Sequence, residues 1–153
     1  EAITEKEKQA LARSFGQFLH DLHEQSPISA LQHEGSWLEQ QLIQAQHYAE
    51  NGQCDGDLQL LTELKANKPL PVKQTIIHGD CTTDNVLVID GKVQLFIDVA
   101  GMTIGDPRYD EALAIRKLKK QRNLINAFYE GYKRNRMSES EFMYFNDGLY
   151  EFF

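Results

Sequence analysis

Two cysteines, four prolines and one tryptophan in 153 residues leave several designs without the residues they need. Cys54 and Cys81 have no metal-ligand spacing and no secretory context, so a disulfide framework is excluded and reduced thiols in a cytoplasmic protein are expected. No apolar run approaches the roughly 18 residues of a membrane span. The opening Glu5-Lys6-Glu7-Lys8 stretch leads into no apolar signal core. Basic charge is also scarce: 16 Lys and Arg against 23 Asp and Glu give a net charge of −7. That balance argues against non-specific binding to nucleic acid or anionic membranes, and an acidic surface suits a cationic small substrate. Internal repeats, low-complexity tracts and linkers are lacking, so the chain reads as one domain-sized unit. It begins at Glu1 without an initiator Met, and a piece of a longer chain is expected.

What is present is mostly helical periodicity. Thr4 and Glu7 form a capping-box pattern ahead of Leu11, Phe15, Phe18, Leu19 and Leu22, and Ser26-Pro27 ends that helix. Ser36 and Glu39 form a second such pattern, opening a helix through Leu38, Leu42, Ala45 and Ala49 that stops near Asn51-Gly52. A shorter helix is expected over 58–66, before Pro69 and Pro71 break the pattern. Thr75-Ile76-Ile77 reads as a short strand. Val86 to Ile89 and Val93 to Ile97, joined through Asp90-Gly91, read as a hairpin, since Asp-Gly readily takes the positive φ angles of a type I′ turn. After Pro107 the pattern predicts helices over about 110–121, 123–134 and 138–153, the last opened by Ser138 and Glu141.

Chemistry concentrates in His78-Gly79-Asp80-Cys81-Thr82-Thr83-Asp84-Asn85 and in Asp98 beyond the hairpin. The hairpin acts as a spacer that returns Asp98 to the loop holding Asp80 and Asn85. Two Asp and one Asn converging there supply hard oxygen ligands and one spare carboxylate, the set that Mg²⁺-phosphate chemistry requires. This arrangement resembles the H-x-D-x-x-x-x-N catalytic loop and metal-binding Asp of the kinase-like fold. Gly79, Ile97-Asp98, Gly105-Asp106-Pro107-Arg108-Tyr109-Asp110 and the Leu22-His23 pair look like the aminoglycoside phosphotransferase and choline kinase group. Asp98-Val99-Ala100-Gly101, in place of Asp-Phe-Gly, separates the chain from protein kinases.

The resemblance implies an α+β, mainly α fold. The whole of 1–153 would form the helical carboxy-terminal lobe, with a small central β-hairpin carrying the catalytic loop. It implies Asp80 as catalytic base, Asn85 and Asp98 as Mg²⁺ ligands with Asp98 reaching the nucleotide's phosphates, and ATP as co-substrate. His78 would be structural, and Asp106 would brace the catalytic loop. The activity implied is transfer of the ATP γ-phosphoryl group to a hydroxyl of a small acceptor, cationic or sugar-like, such as an aminoglycoside or amino alcohol. Glu111 departs from the Leu common at its position. A larger departure is that no glycine-rich phosphate loop and no strand-borne lysine precede His78; the amino-terminal ATP-covering lobe would lie before Glu1. A non-catalytic kinase-like binding module is therefore the alternative reading, with a metal-dependent phosphohydrolase behind it.

Other chemistry-bearing residues read more plainly. Cys81 has nothing basic nearby to activate it. His20, His23, His33 and His47 read as surface or helix-packing residues. The basic residues between Arg116 and Arg136 alternate with Leu118, Leu124, Ile125, Phe128 and Tyr132, as on solvated faces of amphipathic helices. The closing segment mixes Glu139, Glu141, Asp147 and Glu151 with six aromatics and no Lys or Arg. It suits either a wall of an acceptor pocket or core packing.

Overall fold

The computed structural model describes residues 2–153. Helix α1 runs Glu5–Glu24, and Thr4 starts it: its Oγ1 accepts from the Glu7 N–H at 3.2 Å while the Glu7 carboxylate accepts from the Thr4 N–H at 2.6 Å. Two of the first turn's orphan N–H groups are thereby satisfied. Ala12, Phe15, Leu19 and His23 line its buried face. Helix α2 (Trp37–Glu50) is capped by Ser36, which accepts from the Glu39 N–H. The reciprocal half of that box is not made, because the Glu39 carboxylate pairs instead with Lys68. Helix α3 (Leu58–Ala66) starts at Asp57, whose carboxylate accepts from the Leu60 N–H at 2.8 Å.

Strand β1 (Thr75–Ile77) is fully buried and leads into the loop 78–85. Strands β2 (Val86–Ile89) and β3 (Lys92–Phe96) form the hairpin, with Asp90 at φ 52° and Gly91 at φ 74° as a type I′ turn demands. Val86 faces Phe96 and Leu87 faces Leu95, and a bulge then shifts the register to Val88–Val93 and Ile89–Lys92. Strand β4 (Thr103–Gly105), which the sequence reading passed over, pairs antiparallel with β1, Ile76 opposite Ile104. The 78–85 loop is therefore carried between the two small sheets, at the foot of the hairpin.

Helix α4 spans Pro107–Ile115, starting and ending earlier than the periodicity predicts. Asp106 caps it and Pro107 takes its first turn, where the missing N–H is harmless. Beyond Ile115 the chain turns tightly, with Leu118 donating to Ile115 and Gln121 to Leu118, and this turn delivers helix α5 (Arg122–Gly131) onto α1. The predicted closing helix is broken into three. Helix α6 covers only Glu139–Phe142; a π-turn follows over Met143–Gly148 and a 3₁₀ turn over Leu149–Phe152. These turns pack on α3: the Tyr144 hydroxyl donates to the Leu64 carbonyl at 2.9 Å, and a Cβ on Gly148 would lie 2.5 Å from Leu64 Cδ2. The core so formed joins Phe15, Leu19, Leu42, Leu113, Phe128 and Phe145 across all these elements. Among the described residues no helix is long and apolar enough to cross a membrane.

Candidate active site

His78, Gly79, Asp80 and Asn85 are placed by hydrogen bonds and close backbone approaches. His78 is fully buried; its Nε2 donates to the Ile97 carbonyl at 2.8 Å, and its Nδ1 accepts from the Asp80 N–H at 3.1 Å. Those two partners fix the tautomer and give His78 the structural role expected of it. Gly79 sits at φ +90°, and a Cβ there would lie 2.5 Å from the Gly101 carbonyl oxygen. Only glycine satisfies both the angle and the approach. Further along, the Ile97 N–H donates to the Asn85 carbonyl at 2.9 Å. The loop and the Asp98 segment are thus fastened at three points, and Asp98 follows immediately after the third.

Asp80, half-buried, carries a polar partner on each carboxylate oxygen. Asn85 Nδ2 donates to Asp80 Oδ2 at 3.0 Å and to the Asp80 carbonyl at 2.8 Å, and the Tyr150 hydroxyl donates to Oδ1 at 3.3 Å. With Nδ2 committed, Asn85 presents its amide oxygen away from Asp80. Asp98 is exposed and in the left-handed region at φ 54°, one of two such non-glycine residues among those described, the other being the turn residue Asp90. A strained backbone away from any hairpin turn is the kind of feature that accumulates at functional sites. An amide oxygen and one carboxylate suit Mg²⁺, which takes few protein ligands and keeps phosphate oxygens and waters for the rest of its shell. Among the described residues no group of three or more His, Cys, Asp or Glu side chains is arranged to hold a metal alone.

Asp106, expected to brace the loop, is placed elsewhere. Its carboxylate caps α4 through the Arg108 N–H at 2.9 Å and pairs with the Arg108 guanidinium at 2.7 Å. The carboxylate that reaches the loop is Asp110, one helical turn on. Its Oδ2 accepts from the His78 N–H at 2.7 Å and its Oδ1 from the Gly79 N–H at 2.9 Å. His23 Nε2 donates to Oδ2 at 3.0 Å, and the Tyr132 hydroxyl meets His23 Nδ1 at 2.7 Å. A buried chain therefore runs from α5 through α1 and α4 to the loop. Cys81 is fully buried, and burial together with the charges of Asp110 and Asp80 pushes its thiol pKa well up, so it is inert as a nucleophile.

Tyr150, which contacts Asp80, is one wall of a cavity of about 370 Å³ lined also by Gln53, Cys54, Asp55, Arg116, Glu151 and Phe153. The Arg116 guanidinium stacks over the Tyr150 ring at 4.8 Å. A larger concavity of about 770 Å³ lies between α1 and the hairpin turn, lined by residues such as Arg13, Asp21, Asp90 and Lys92 and by none of the catalytic loop.

The comparisons agree with this geometry. The fold matches the crystal structure of an aminoglycoside-3′-phosphotransferase of type VIII with a TM-score of 0.79 at 22% identity, over 100% of this chain and 64% of that one. It matches an aminoglycoside phosphotransferase from Streptomyces rimosus at TM-score 0.78 and 15% identity, over 98% of this chain and 64% of that one. That Streptomyces protein is also known in complex with ADP and streptomycin. A macrolide 2′-phosphotransferase of type I matches at TM-score 0.70 and 16% identity, over 98% of this chain and 52% of that one. The chain thus spans between about half and two thirds of the length of these structures. No curated protein sequence matches it. The family model described as phosphotransferase enzyme family matches residues 1–142, and the chain belongs to that family.

Proposed function

We propose that the chain is the carboxy-terminal, helical lobe of a cytoplasmic small-molecule kinase that transfers the γ-phosphoryl group of ATP to an acceptor hydroxyl. The observation that supports this reading is the three-point fastening of the 78–85 loop to the segment that holds Asp98. In this reading Asp80 receives the acceptor's hydroxyl proton as the oxygen attacks the γ-phosphorus and the bond to ADP breaks. Asn85 keeps the Asp80 carboxylate in place with Nδ2, so catalysis rests on positioning. Mg²⁺ would be held by the Asn85 amide oxygen and the Asp98 carboxylate, and when bound it supplies neutralisation of phosphate charge.

The remaining parts of the reading follow from the surface around these residues. Leu87, Leu95, Ile97 and Val99 are each more than 40% exposed on the hairpin face that leads to Asp98. That face suits the apolar side of a purine and a covering amino-terminal lobe, which would complete the nucleotide site. The acceptor would enter the cavity beside Tyr150, where Asp55 and Glu151 favour a cationic or sugar-like molecule such as an aminoglycoside or amino alcohol. The Streptomyces relative's complex with ADP and streptomycin supports a nucleotide and a small-molecule acceptor as the two ligands.

The test is Mg²⁺-ATP turnover by the full-length protein against a panel of aminoglycosides and amino alcohols. Asp80→Asn and Asp98→Ala are expected to lower turnover by at least roughly 100-fold without loss of fold. Near-normal turnover in either would remove the roles assigned here and leave a binding module as the better description.

A further inference from the structure

Each carboxylate oxygen of this site's base already accepts a hydrogen bond from within the protein. Asp80 Oδ2 is taken by the Asn85 amide, which belongs to the same loop, and Oδ1 by the hydroxyl of Tyr150, which arrives from the end of the chain. Tyr150 lies on the closing 3₁₀ turn, which is anchored on one side by buried Phe152 and on the other by the Gly56 N–H donating to the Glu151 carbonyl at 2.9 Å. Its ring is held between the Arg116 guanidinium at 4.8 Å and the edge of Tyr109 at 6.3 Å. Burial and the nearby Asp80 charge push the phenol pKa up, so the hydroxyl is a proton donor at neutral pH. An acceptor hydroxyl that gives its proton to Asp80 must donate to one of these two oxygens. Oδ1 is the one whose partner does not belong to the loop, and that partner, Tyr150, lines the 370 Å³ cavity.

We propose that Tyr150 is a specificity-determining residue whose hydroxyl holds the acceptor's place on Asp80, keeps water from that place, and yields only to an acceptor hydroxyl bound in the adjoining cavity. This rests on the phosphotransferase reading above. At 3.3 Å the Tyr150 contact is long for an O–H···O bond, so an acceptor alcohol that the cavity walls hold in place takes over Oδ1. Water entering the cavity alone brings no other contacts with which to do so. The reaction being suppressed is hydrolysis: a water oxygen attacks the γ-phosphorus of ATP, the bond to ADP breaks, and a proton of the water passes to Asp80, leaving ADP and inorganic phosphate.

The experiment uses the full-length protein and water as the only acceptor. Phosphate release from Mg²⁺-ATP is measured for the natural sequence, Tyr150→Phe, Asp80→Asn and the double variant. Tyr150→Phe keeps the ring and its neighbours, and an unchanged melting temperature verifies that the fold is intact. Removing one hydrogen bond from the base is expected to raise hydrolysis roughly fivefold or more. The double variant should fall back to the Asp80→Asn rate. Unchanged or slower hydrolysis in Tyr150→Phe, with Asp80→Asn still inactive, overturns the role of Tyr150 and leaves the kinase reading standing. Hydrolysis that is indifferent to Asp80 in either background overturns both.

Discussion

His23 and Asp110 meet at 3.0 Å with neither side chain exposed to solvent, although 87 positions separate them. Because Asp110 also accepts from the N–H groups of His78 and Gly79, the pair couples α1 and α4 directly to the first two residues of the 78–85 loop. Removing one member of a buried charged network leaves its partners unpaired, at a cost of roughly 3–5 kcal/mol. Asp110→Asn is therefore expected to lower stability by an amount of that order in urea denaturation. It should also raise amide hydrogen exchange at His78 and Gly79 above any change elsewhere in the loop. Asp106→Asn, whose carboxylate touches α4 and Arg108 only, should leave those two amides protected. Equal loss of protection in both variants would contradict the separation of roles.

Gly79 offers a second probe of the same loop. At φ +90° an L side chain is strained, by roughly 1–3 kcal/mol. The added Cβ would also press on the Gly101 carbonyl, where backbone must move to relieve it. Gly79→Ala should destabilise the fold by at least about 2 kcal/mol and pull the Asp98 segment from the loop. In the full-length protein its turnover should fall further than its stability alone accounts for, measured well below the melting temperature.

Much of this was legible in the sequence, for reasons that are local. Thr4 with Glu7, Ser138 with Glu141, and Asp90-Gly91 each specify a cap or turn through chemistry contained in a few residues, and each is found as expected. The spacing of His78, Asp80 and Asn85 is legible for the same reason. The missed features are long-range. Strand β4 has three residues and no alternation of its own; its pairing with β1 makes it a strand. Asp106 and Asp110 lie four positions apart in one motif, and only the packing of α4 decides which carboxylate reaches the loop. Tyr150 could have been suspected from the acidic and aromatic closing segment, but no spacing rule connects it with Asp80 70 residues away. The closing segment, expected as one helix, is broken where Tyr144 and Gly148 meet Leu64 of α3, contacts that a periodicity does not register.

Glu111, where the family pattern favours Leu, is 1% exposed, and burial raises its carboxyl pKa from 4.5 to about 7. It accepts from the Tyr129 hydroxyl at 2.5 Å and from the Met137 N–H at 2.9 Å, which fastens the segment between α5 and α6 to α4. A carboxyl whose pKa is higher folded than unfolded binds more protons in the native state between those two values. Its contribution is fully present below pH 4.5 and is lost as pH rises through about 7. At about 1.4 kcal/mol per pH unit, the loss from this group approaches about 3 kcal/mol. Glu111→Gln keeps an acceptor oxygen and cannot ionise, so urea denaturation between roughly pH 5 and 8 should show a much flatter stability profile. A variant profile that falls as steeply as that of the natural sequence would place the titration elsewhere.

The crossing of α1 and α5 sets two opposed effects against each other at Gly16. Ala is the better helix former by roughly 1 kcal/mol, so on propensity alone Gly16→Ala should stabilise α1. Packing opposes it, because a Cβ at Gly16 would run into the Phe128 carbonyl of α5, and one at Gly131 would run into the Arg13 carbonyl of α1. Both obstacles are backbone atoms in regular helices, with no flexible side chain to swing aside. Relief therefore requires the two helices to separate, which loosens the contacts of Phe15 with Phe128 and of His23 with Tyr132. Overpacking of this kind costs typically about 1–3 kcal/mol and more where backbone must yield, so packing outweighs propensity. Gly16→Ala and Gly131→Ala are each expected to lower stability by about 2 kcal/mol or more in urea denaturation. The two changes press on the same crossing, so once one has forced the helices apart the second should cost less. The double variant should accordingly be less destabilised than the sum of the two, and strict additivity would mean that the crossing does not move as one unit.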